Sequence, residues 1–269
     1  MFRIAIIGCG NMGLSYARSF LRFNLVTKEN LLLVAKNEEH AKKLTALELG
    51  RAVPGIDESI ADYGVLVLAV KPQDFSSIAP PLRKVLRPDH VLLSVMAGIT
   101  IATLQEKLQH DAIVRAMPNT PTQLGMGVTA FIATEIVNLH RISVIDSLLS
   151  TTGRTILLGE ESQLDAVTAL SGSGPAYFFH IIRIMIRAGM RMGLDESVSA
   201  MLVKQTMQGS FHLLNQSSES LEELVAAVSS KGGTTEAAFE RLKEGDFERT
   251  LTEAILAAHE RAQQLSQSR

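Results

Sequence analysis

The segment Ile4-Ala5-Ile6-Ile7-Gly8-Cys9-Gly10-Asn11-Met12-Gly13 joins a short apolar run to three glycines at G-x-G-x-x-G spacing. The apolar run predicts a buried β-strand, and the residues after it continue with helical periodicity. In this strand–loop–helix context the glycine pattern is typical of a dinucleotide-binding loop. Gly8 permits the tight turn, Gly10 lets a pyrophosphate approach the backbone, and Gly13 lets the helix pack on the sheet. The cofactor contacts predicted in this loop are Ile7, Gly8, Gly10, Asn11, Met12 and Gly13.

Further apolar, β-branched runs alternate with helical patterns through the first half of the chain. Strands that are apolar throughout and separated by helices are typical of a parallel sheet covered on both faces. Two later runs, Gly127–Ile132 and Thr155–Leu158, predict added edge strands around a helix from about Glu135 to Thr151. Residues 1–160 are therefore predicted to form an α/β Rossmann domain with a mostly parallel, doubly wound sheet. The predicted strands of its parallel part are Ile4–Ile7, Leu31–Val34, Val65–Val70, Val91–Val95 and Ile113–Val114.

The chain changes character after Gly159, because no later run resembles a strand. Residues 161–269 predict a second, all-helical domain. Its long helix carries apolar side chains such as Phe178 and Phe179 on more than one face. That helix either lies in the interior of the domain or packs against a second subunit as well as its own core. The predicted helices are approximately Gln163–Leu170, Pro175–Met192, Ser197–Asn215, Leu221–Val228, Thr235–Lys243 and Phe247–Gln264.

The composition argues against several classes of protein. With 46% hydrophobic residues the chain of 269 residues can bury a core, and its net charge of -2 argues against a polyanion-binding surface. A single cysteine excludes an intrachain disulfide, and the scattered histidines lack metal-ligand spacing. No apolar run reaches the roughly 20 residues that span a bilayer, and Met1 leads into a strand without signal-peptide features. We expect a cytoplasmic protein with a small-molecule substrate, no metal, and neither nucleic acid nor membrane as a partner.

The residues after the second predicted strand bear on which nicotinamide cofactor is bound. A site that prefers NAD usually has an acid at the end of that strand, where it binds the ribose 2′-hydroxyl. Here Lys36 and Asn37 follow the strand, so Lys36 could pair with a 2′-phosphate. This favours NADPH and leaves NADH open. Two alternatives remain: Lys36 as an ordinary solvated lysine, and Glu38 as the ribose ligand.

Three more segments are expected at the carboxyl edge of the sheet, where ligands of α/β proteins bind. Lys71-Pro72 ends one buried strand, since proline stops the strand and fixes the turn. The segment from Ser94 to Gly98 follows the next strand. Asn119 comes after the strand that ends near Met117, and we expect it near the nicotinamide amide or the substrate.

Five motifs occur in a fixed order along the chain. They are Gly8–Gly13, Ala69-Val70-Lys71-Pro72, Met117-Pro118-Asn119-Thr120-Pro121, Ser171-Gly172-Ser173-Gly174-Pro175-Ala176-Tyr177 and Ser230-Lys231-Gly232-Gly233-Thr234-Thr235. Together they resemble the pyrroline-5-carboxylate reductases over the full length of the chain. The resemblance implies an NAD(P)H-dependent imine reductase (EC 1.5.1.2) that converts (S)-1-pyrroline-5-carboxylate to L-proline, the last step of proline biosynthesis. It also implies a homodimer through the helical domain and allows assembly of five dimers into a decamer.

The resemblance also assigns site residues. It places Thr235 near the imine nitrogen as the catalytic residue, and Glu161 near a substrate-side position. The remaining substrate contacts expected are Ser173, Val228, Ser230, Gly232, Gly233 and Thr234. The cofactor contacts expected outside the first loop are Lys36, Asn37, Ala69, Val70, Lys71, Pro72, Val95, Met96, Ala97 and Asn119.

The chemistry of the last motif fits such a substrate. Backbone N–H groups of a glycine-rich loop that opens a helix can bind a carboxylate, and the Thr235 hydroxyl can hydrogen-bond the ring nitrogen. From its spacing alone, however, this loop could equally be a plain helix cap. The Ser171–Pro175 segment offers small residues for ligand approach or for close helix packing. Two departures from the family are Lys231, where many members have proline, and Ala227, where members often carry an asparagine associated with the substrate site.

Two other functions stay open. A β-hydroxyacid dehydrogenase has the same two-domain plan but places a lysine on the long interdomain helix as acid/base. Between Gly174 and Gly193 this chain has arginines and no lysine, which argues against alcohol oxidation. The second alternative is a paralogue that is non-catalytic or has another substrate, and Ala227 keeps it open.

Overall fold

An eight-stranded sheet forms the centre of the first half of the protein. Its strands are β1 (Ile4–Ile7), β2 (Leu31–Ala35), β3 (Arg51–Pro54), β4 (Val65–Leu68), β5 (Val91–Ser94), β6 (Ile113–Met117), β7 (Gly127–Ala133) and β8 (Gly153–Leu157). In the computed structural model, which describes residues 2–267, they lie in the order β3-β2-β1-β4-β5-β6-β7-β8. Neighbouring strands are parallel except β6 and β7. The predicted Rossmann domain with a mostly parallel sheet is confirmed.

The sheet is covered on both faces, as its uniformly apolar strands require. Every residue of β1 is buried, and its side chains alternate between two apolar clusters. Ile4 and Ile6 belong to one cluster, whereas Ala5 and Ile7 belong to the other. This two-sided burial explains why the strands show no polar alternation. The helices of this part are α1 (Asn11–Arg22), α2 (Glu38–Thr45), α3 (Phe75–Val85), α4 (Ile101–Leu108), α5 (Leu139–Ser150) and α6 (Gln163–Val167).

β3 and the start of α5 differ from the expectation from sequence. β3 was not predicted, because it is a short edge strand that pairs only with β2 and has exposed residues at both ends. The helix expected from Glu135 begins instead at Leu139, so the predicted start is wrong. The physical reason is the cap at Asn138, whose side-chain oxygen accepts a hydrogen bond from Arg141 N at 3.0 Å.

The helix predicted over Gln163–Leu170 does not remain α-helical to its end. α6 stops at Val167, and a π-helical turn continues over Thr168–Gly172. Ser173 N closes this turn by donating to Thr168 O at 2.9 Å. Single π-helical turns are frequent at functional sites, and this one carries the first part of the Ser171–Tyr177 motif.

Packing divides the chain into two compact units. The first comprises residues up to Ser173 and those from Ala258 onward, and the second comprises Gly174–Ala257. The second unit contains no strand among its residues, so its predicted all-helical character is confirmed. The boundary of the functional domains at residue 160 stays a prediction. The later helices are α7 (Gly174–Arg191), α8 (Glu196–Gln216), α9 (Leu221–Ala227), α10 (Thr234–Glu244) and α11 (Phe247–Gln267).

The helical unit leaves many large apolar side chains exposed. α7 and α8 pack closely, since a Cβ atom at Gly189 would lie 2.5 Å from Ser199 Oγ. Phe178 and Phe179 of α7 are nevertheless 61% and 66% exposed, and Met201 of α8 is 58% exposed. An apolar surface of this kind is typical of a protein–protein interface.

Candidate functional site

The loop between β1 and α1 forms a cradle for an anion. Gly8 has φ +99° and lies so close to the residues that follow β4 that a Cβ atom would be 2.5 Å from Val70 N. A Cβ atom at Gly13 would be 2.2 Å from Gly8 O, so glycine there lets α1 pack against the loop. Gly10, the N-cap residue, is exposed and has no atom within 4 Å of where its Cβ would be. The first intrahelical bond of α1 is Leu14 N to Gly10 O, so the N–H groups before Leu14 have no carbonyl partner within the helix, as phosphate binding at a helix N-terminus requires.

A cavity of about 920 Å³ opens beside this loop. Its size is in the range of small-molecule and cofactor sites. The structure brings to it eight of the predicted cofactor residues, namely Ile7, Gly8, Gly10, Lys36, Asn37, Ala69, Val70 and Lys71. The predicted contacts that do not line this cavity are Asn11, Met12, Gly13, Pro72, Val95, Met96, Ala97 and Asn119. Their assigned roles stay predictions.

Lys36, which follows β2, and residues of α2 supply most of the charged side chains in the cavity. Asn37 caps α2, because its side-chain oxygen accepts a hydrogen bond from His40 N at 2.9 Å. Lys36, His40 and Lys43 line the cavity. Glu38, the alternative ribose ligand, does not line it. The acid that does is Glu39, whose Oε1 lies 2.6 Å from Lys43 Nζ.

His40 and Lys43 were missed in the sequence analysis. Both lie on α2, three residues apart, and α2 begins shortly after Lys36. The signal was available, because residues three and four apart share one face of a helix. His40 Nδ1 is buried without a hydrogen-bond partner in the described part of the chain. His40 thus lines the cavity with a ring whose Nδ1 is itself buried.

Cys9, between the first two glycines of the loop, is chemically inert in this setting. Burial raises the pKa of its thiol to about 12, although the backbone of Val34 opposes this rise. Its Sγ lies 3.5 Å from Ile6 O and 3.8 Å from Val34 O. The thiol is therefore a packing group below the loop.

The segment after β5 lies at the same edge of the sheet. Val95 N donates to Leu68 O at 3.0 Å, and Met96 is only 2% exposed. The segment ends where α4 begins, and Ile101 N donates there to Glu161 Oε1 at 2.8 Å. Glu161 also accepts from Arg115 Nη1 at 2.6 Å. Glu161 thus contacts the start of α4 and a buried arginine, and its predicted contact with the substrate stays a prediction.

Asn119 links the end of β6 to two other segments. Its Oδ1 accepts from Val128 N at 3.1 Å, and its Nδ2 donates to Ser171 Oγ at 3.3 Å. Thr122 Oγ1 donates to Asn119 O at 2.8 Å. Asn119 therefore joins the Met117–Pro121 motif to the Ser171–Tyr177 motif, two segments that sequence analysis treated separately.

The predicted substrate loop lies in the helical unit, before α10. Gly232 has φ +73°, and its N–H donates to Glu236 Oε2 at 2.6 Å. Gly233 is the N-cap of α10, and Gly233 N donates to Ser230 O at 2.9 Å. The first intrahelical bond from the cap is Ala237 N to Gly233 O, so the N–H groups of Thr234 and Thr235 have no carbonyl partner within the helix. The loop therefore offers the two donors that a carboxylate requires.

The described residues include neither a metal-binding cluster nor a membrane-spanning helix. Within residues 2–267 no group of three or more histidine, cysteine, aspartate or glutamate side chains could hold a metal ion. None of the helices in this range is both long and apolar enough to cross a membrane.

Comparison with known proteins agrees with this geometry. Residues 161–265 match the family model "Pyrroline-5-carboxylate reductase dimerisation", and residues 3–98 match "NADP oxidoreductase coenzyme F420-dependent". The pyrroline-5-carboxylate reductase of Pseudomonas aeruginosa is 36% identical over 266 residues, which cover 98% of this chain and 97% of that protein.

Two solved structures are also similar. A pyrroline-5-carboxylate reductase from Coxiella burnetii has a TM-score of 0.88 at 28% identity, with 98% of both chains covered. The Plasmodium falciparum enzyme, solved with NADP bound, has a TM-score of 0.88 at 27% identity and the same coverage. The resemblance seen in the motifs is confirmed, and the chain belongs to the pyrroline-5-carboxylate reductase family.

Proposed function

We propose that the protein reduces (S)-1-pyrroline-5-carboxylate to L-proline with NADPH as the preferred cofactor. One observation carries this proposal. The same chain contains a cavity with cationic side chains beside a dinucleotide-binding loop and an intact Ser230–Thr235 loop. The cavity alone supports only a dinucleotide-dependent oxidoreductase. The loop supplies the reason to choose a small carboxylate with a ring nitrogen as the substrate.

The residues at the first loop fit a nicotinamide dinucleotide. The open backbone at Gly10 and the free N–H groups that begin α1 would hold the pyrophosphate. Lys36, with Lys43 and His40, would hold a 2′-phosphate, and this supports NADPH over NADH. The cofactor supplies the hydride, and the chain has to bind both reactants and orient them.

The substrate loop supplies binding and proton placement. Backbone N–H groups at the start of α10 would bind the carboxylate of the substrate, as an anion at a helix N-terminus. The Thr235 hydroxyl would hydrogen-bond the ring nitrogen. Reduction adds a hydride to the imine carbon and a proton to the nitrogen, and a cyclic imine is basic enough to take that proton without a strong acid. This agrees with the absence of a His–Asp pair from the predicted site residues.

The assembly proposed is a homodimer formed through the helical unit, with a decamer of five dimers as a larger form. The exposed apolar residues of α7 and α8 support the dimer, and so does the match to a dimerisation model. We also propose the cytoplasm as the compartment, with which a chain that has a single cysteine is compatible.

Oxidation of a β-hydroxyacid is disfavoured by the sequence of α7. This helix carries arginines and no lysine, so the acid/base that such a dehydrogenase places there is missing. A paralogue without turnover is the remaining alternative, because Ala227 removes one side chain associated with the substrate site in the family.

A coupled assay with both cofactors tests the proposed function. We expect oxidation of NADPH, followed by its absorbance, to depend on added pyrroline-5-carboxylate and to yield proline, with a slower reaction for NADH. Binding of NADPH without turnover of this imine would instead establish the paralogue.

A further inference from the structure

A buried arginine lies at the centre of a charge cluster in the first unit. Arg115 is on β6, between Ser94 of β5 and Ile132 of β7, and its side chain is 5% exposed. Its Nη1 lies 2.6 Å from Glu161 Oε1, and its Nη2 lies 3.9 Å from Asp165 Oδ1. A guanidinium at this depth requires a partner, since an unpaired buried charge is strongly destabilising. The side chain of Arg115 is therefore held in one place by Glu161 and Asp165.

Glu161 does more than neutralise Arg115. The same oxygen accepts from Ile101 N, the first residue of α4, at 2.8 Å. The first turn of α4 has a second cap, because Thr100 Oγ1 accepts from Thr103 N at 3.1 Å. A carboxylate is favourable at a helix N-terminus, where free N–H groups and the helix dipole act together. Glu161 thus fixes the point at which the chain leaves the segment Val95–Thr100 and enters α4.

The segment Val95–Thr100, called here the nicotinamide loop, is also fixed at its start. Val95 N donates to Leu68 O, and Met96 N donates to Ser94 Oγ at 3.4 Å. Hydrogen bonds therefore fix both ends of this loop, which is predicted to contact the cofactor. The hydrogen bond at the far end joins Ile101 to the Glu161 side chain, which is 60 residues away in the sequence.

The last turns of α11 support the same loop. Gly98 has φ +71°, and a Cβ atom there would lie 3.2 Å from Leu265 Cβ. Ser266 Oγ donates to Asp165 Oδ1 at 2.8 Å, which joins the end of α11 to the charge cluster. The middle of the nicotinamide loop thus lies against α11, while its end lies against Glu161.

We infer that Glu161 is a positioning residue for hydride transfer. It acts through Ile101 and the nicotinamide loop, with Arg115 holding its carboxylate in place. This inference rests on the proposed function, and it differs from a direct contact between Glu161 and the substrate. It also differs from a plain structural ion pair, because it requires the geometry of the loop to depend on the hydrogen bond that the Glu161 side chain accepts from Ile101 N.

The test compares Glu161→Ala and Glu161→Gln with Glu160→Ala in the full-length enzyme. Glu160 is the exposed neighbour and lies outside the cluster. A small displacement of reacting groups is enough to lower a rate strongly, so we expect Glu161→Ala to lower kcat by about tenfold to a hundredfold. With deuterated NADPH the primary isotope effect on kcat should rise, because hydride transfer becomes slower relative to the other steps. Glu161→Gln should recover most of kcat, since its amide oxygen can still accept from Ile101 N.

Hydrogen exchange of the nicotinamide loop gives a readout without turnover. We expect faster exchange of residues 96–101 in Glu161→Ala, with no change in Glu160→Ala. An unchanged exchange rate in Glu161→Ala would overturn the inference, and so would an increased KM for the substrate with an unchanged kcat. If Glu161→Ala does not fold, Ser266→Ala tests the same cluster and should speed exchange of the same loop. A wild-type enzyme without turnover would contradict the proposed function, whereas the exchange experiment would still decide the role of Glu161.

Discussion

Lys43 Nζ lies 2.6 Å from Glu39 Oε1 across one turn of α2, and both residues line the cofactor cavity. The two side chains are 71% and 78% exposed, so the pair contributes little to folding stability. Its consequence is electrostatic, because Glu39 offsets a positive charge in the proposed 2′-phosphate site.

Glu39→Gln should therefore strengthen the preference for NADPH. We expect the KM for NADPH to fall by about twofold to fivefold, the range that an exposed ion pair supports. The KM for NADH should stay nearly constant, since NADH has no 2′-phosphate. Steady-state kinetics with each cofactor measure this, and Glu38→Gln, which changes the same charge outside the cavity, is the control. Equal changes for the two cofactors would show that Lys43 does not face the phosphate.

Lys36→Asp should move the preference toward NADH. Lys36 follows the strand end where an acid binds the ribose hydroxyls in NAD-specific sites, so the substitution removes a cation and supplies that acid. We expect the ratio of kcat/KM for NADPH to that for NADH to fall by about tenfold or more, the value of a charge-assisted hydrogen bond. Lys42→Asp, which makes the same change on α2 outside the cavity, should leave the ratio unchanged. A constant ratio in Lys36→Asp would show that residues other than Lys36 bind the 2′-phosphate.

Thr235→Ala should separate catalysis from cofactor binding. The hydroxyl is proposed to hydrogen-bond the ring nitrogen, and loss of a bond to a charged group corresponds to a decrease in kcat/KM of about tenfold to a hundredfold. The Kd for NADPH, measured by fluorescence, should not change. Thr250→Ala on the exposed face of α11 is the matched control. If Thr235→Ala retains the wild-type rate, the hydroxyl has no part in the reaction.

The apolar surface of α7 and α8 should hold the dimer together. Phe178→Glu combined with Met201→Glu places two charges on this surface, where the original side chains are 61% and 58% exposed in the single chain. Burying unpaired charges is costly, so we expect a smaller mass by light scattering after size exclusion. Leu47→Glu, at an apolar position of the first unit that is 40% exposed, should keep the wild-type mass. A dimer that survives the double substitution would place the interface on another surface.

The sheet and most helices were predictable because their signals are local. β1 and β2 are continuous apolar runs, and the glycine loop identifies the helix that follows β1. β3 has no such run, and the start of α5 depends on a cap at Asn138 rather than on periodicity. These misses occur where one side chain or one edge pairing decides the structure.

The site was predictable only in its local parts. Gly8, Gly10 and Lys36 lie in short motifs, and the cavity brings them together. The contacts of Glu161 could not be predicted, because Arg115 is 46 residues away and the Asp165–Ser266 bond joins residues 101 apart. Such pairings follow from the packing of β6 and of the last turns of α11. Sequence spacing carries no signal for them.

His90 should make folding stability depend on pH. It is 1% exposed, and Arg87 N donates to its Nδ1 at 3.1 Å, so the ring proton is on Nε2, which lies 3.2 Å from Ala61 O. Desolvation lowers the pKa of His90 below its ordinary value, although the bond to Ala61 and the charge of Asp89 oppose this, while His110 and Arg87 add to it. Protonation would also remove the acceptor that Arg87 N uses. The folded state therefore disfavours the charged ring.

The unfolded chain then binds the proton more readily than the folded protein below the ordinary pKa of histidine, near 6.5. The contribution of His90 to stability is complete above that value and decreases as the pH falls toward the lowered pKa of the folded state, by at most about 1.4 kcal/mol per pH unit. Urea unfolding between pH 8 and pH 5 measures this in the wild type and in His90→Gln. The variant should be less stable at pH 8 but should lose less stability on acidification, whereas the exposed His140→Gln should follow the wild type. Parallel curves for His90→Gln and the wild type would show that another group is responsible for the acid sensitivity.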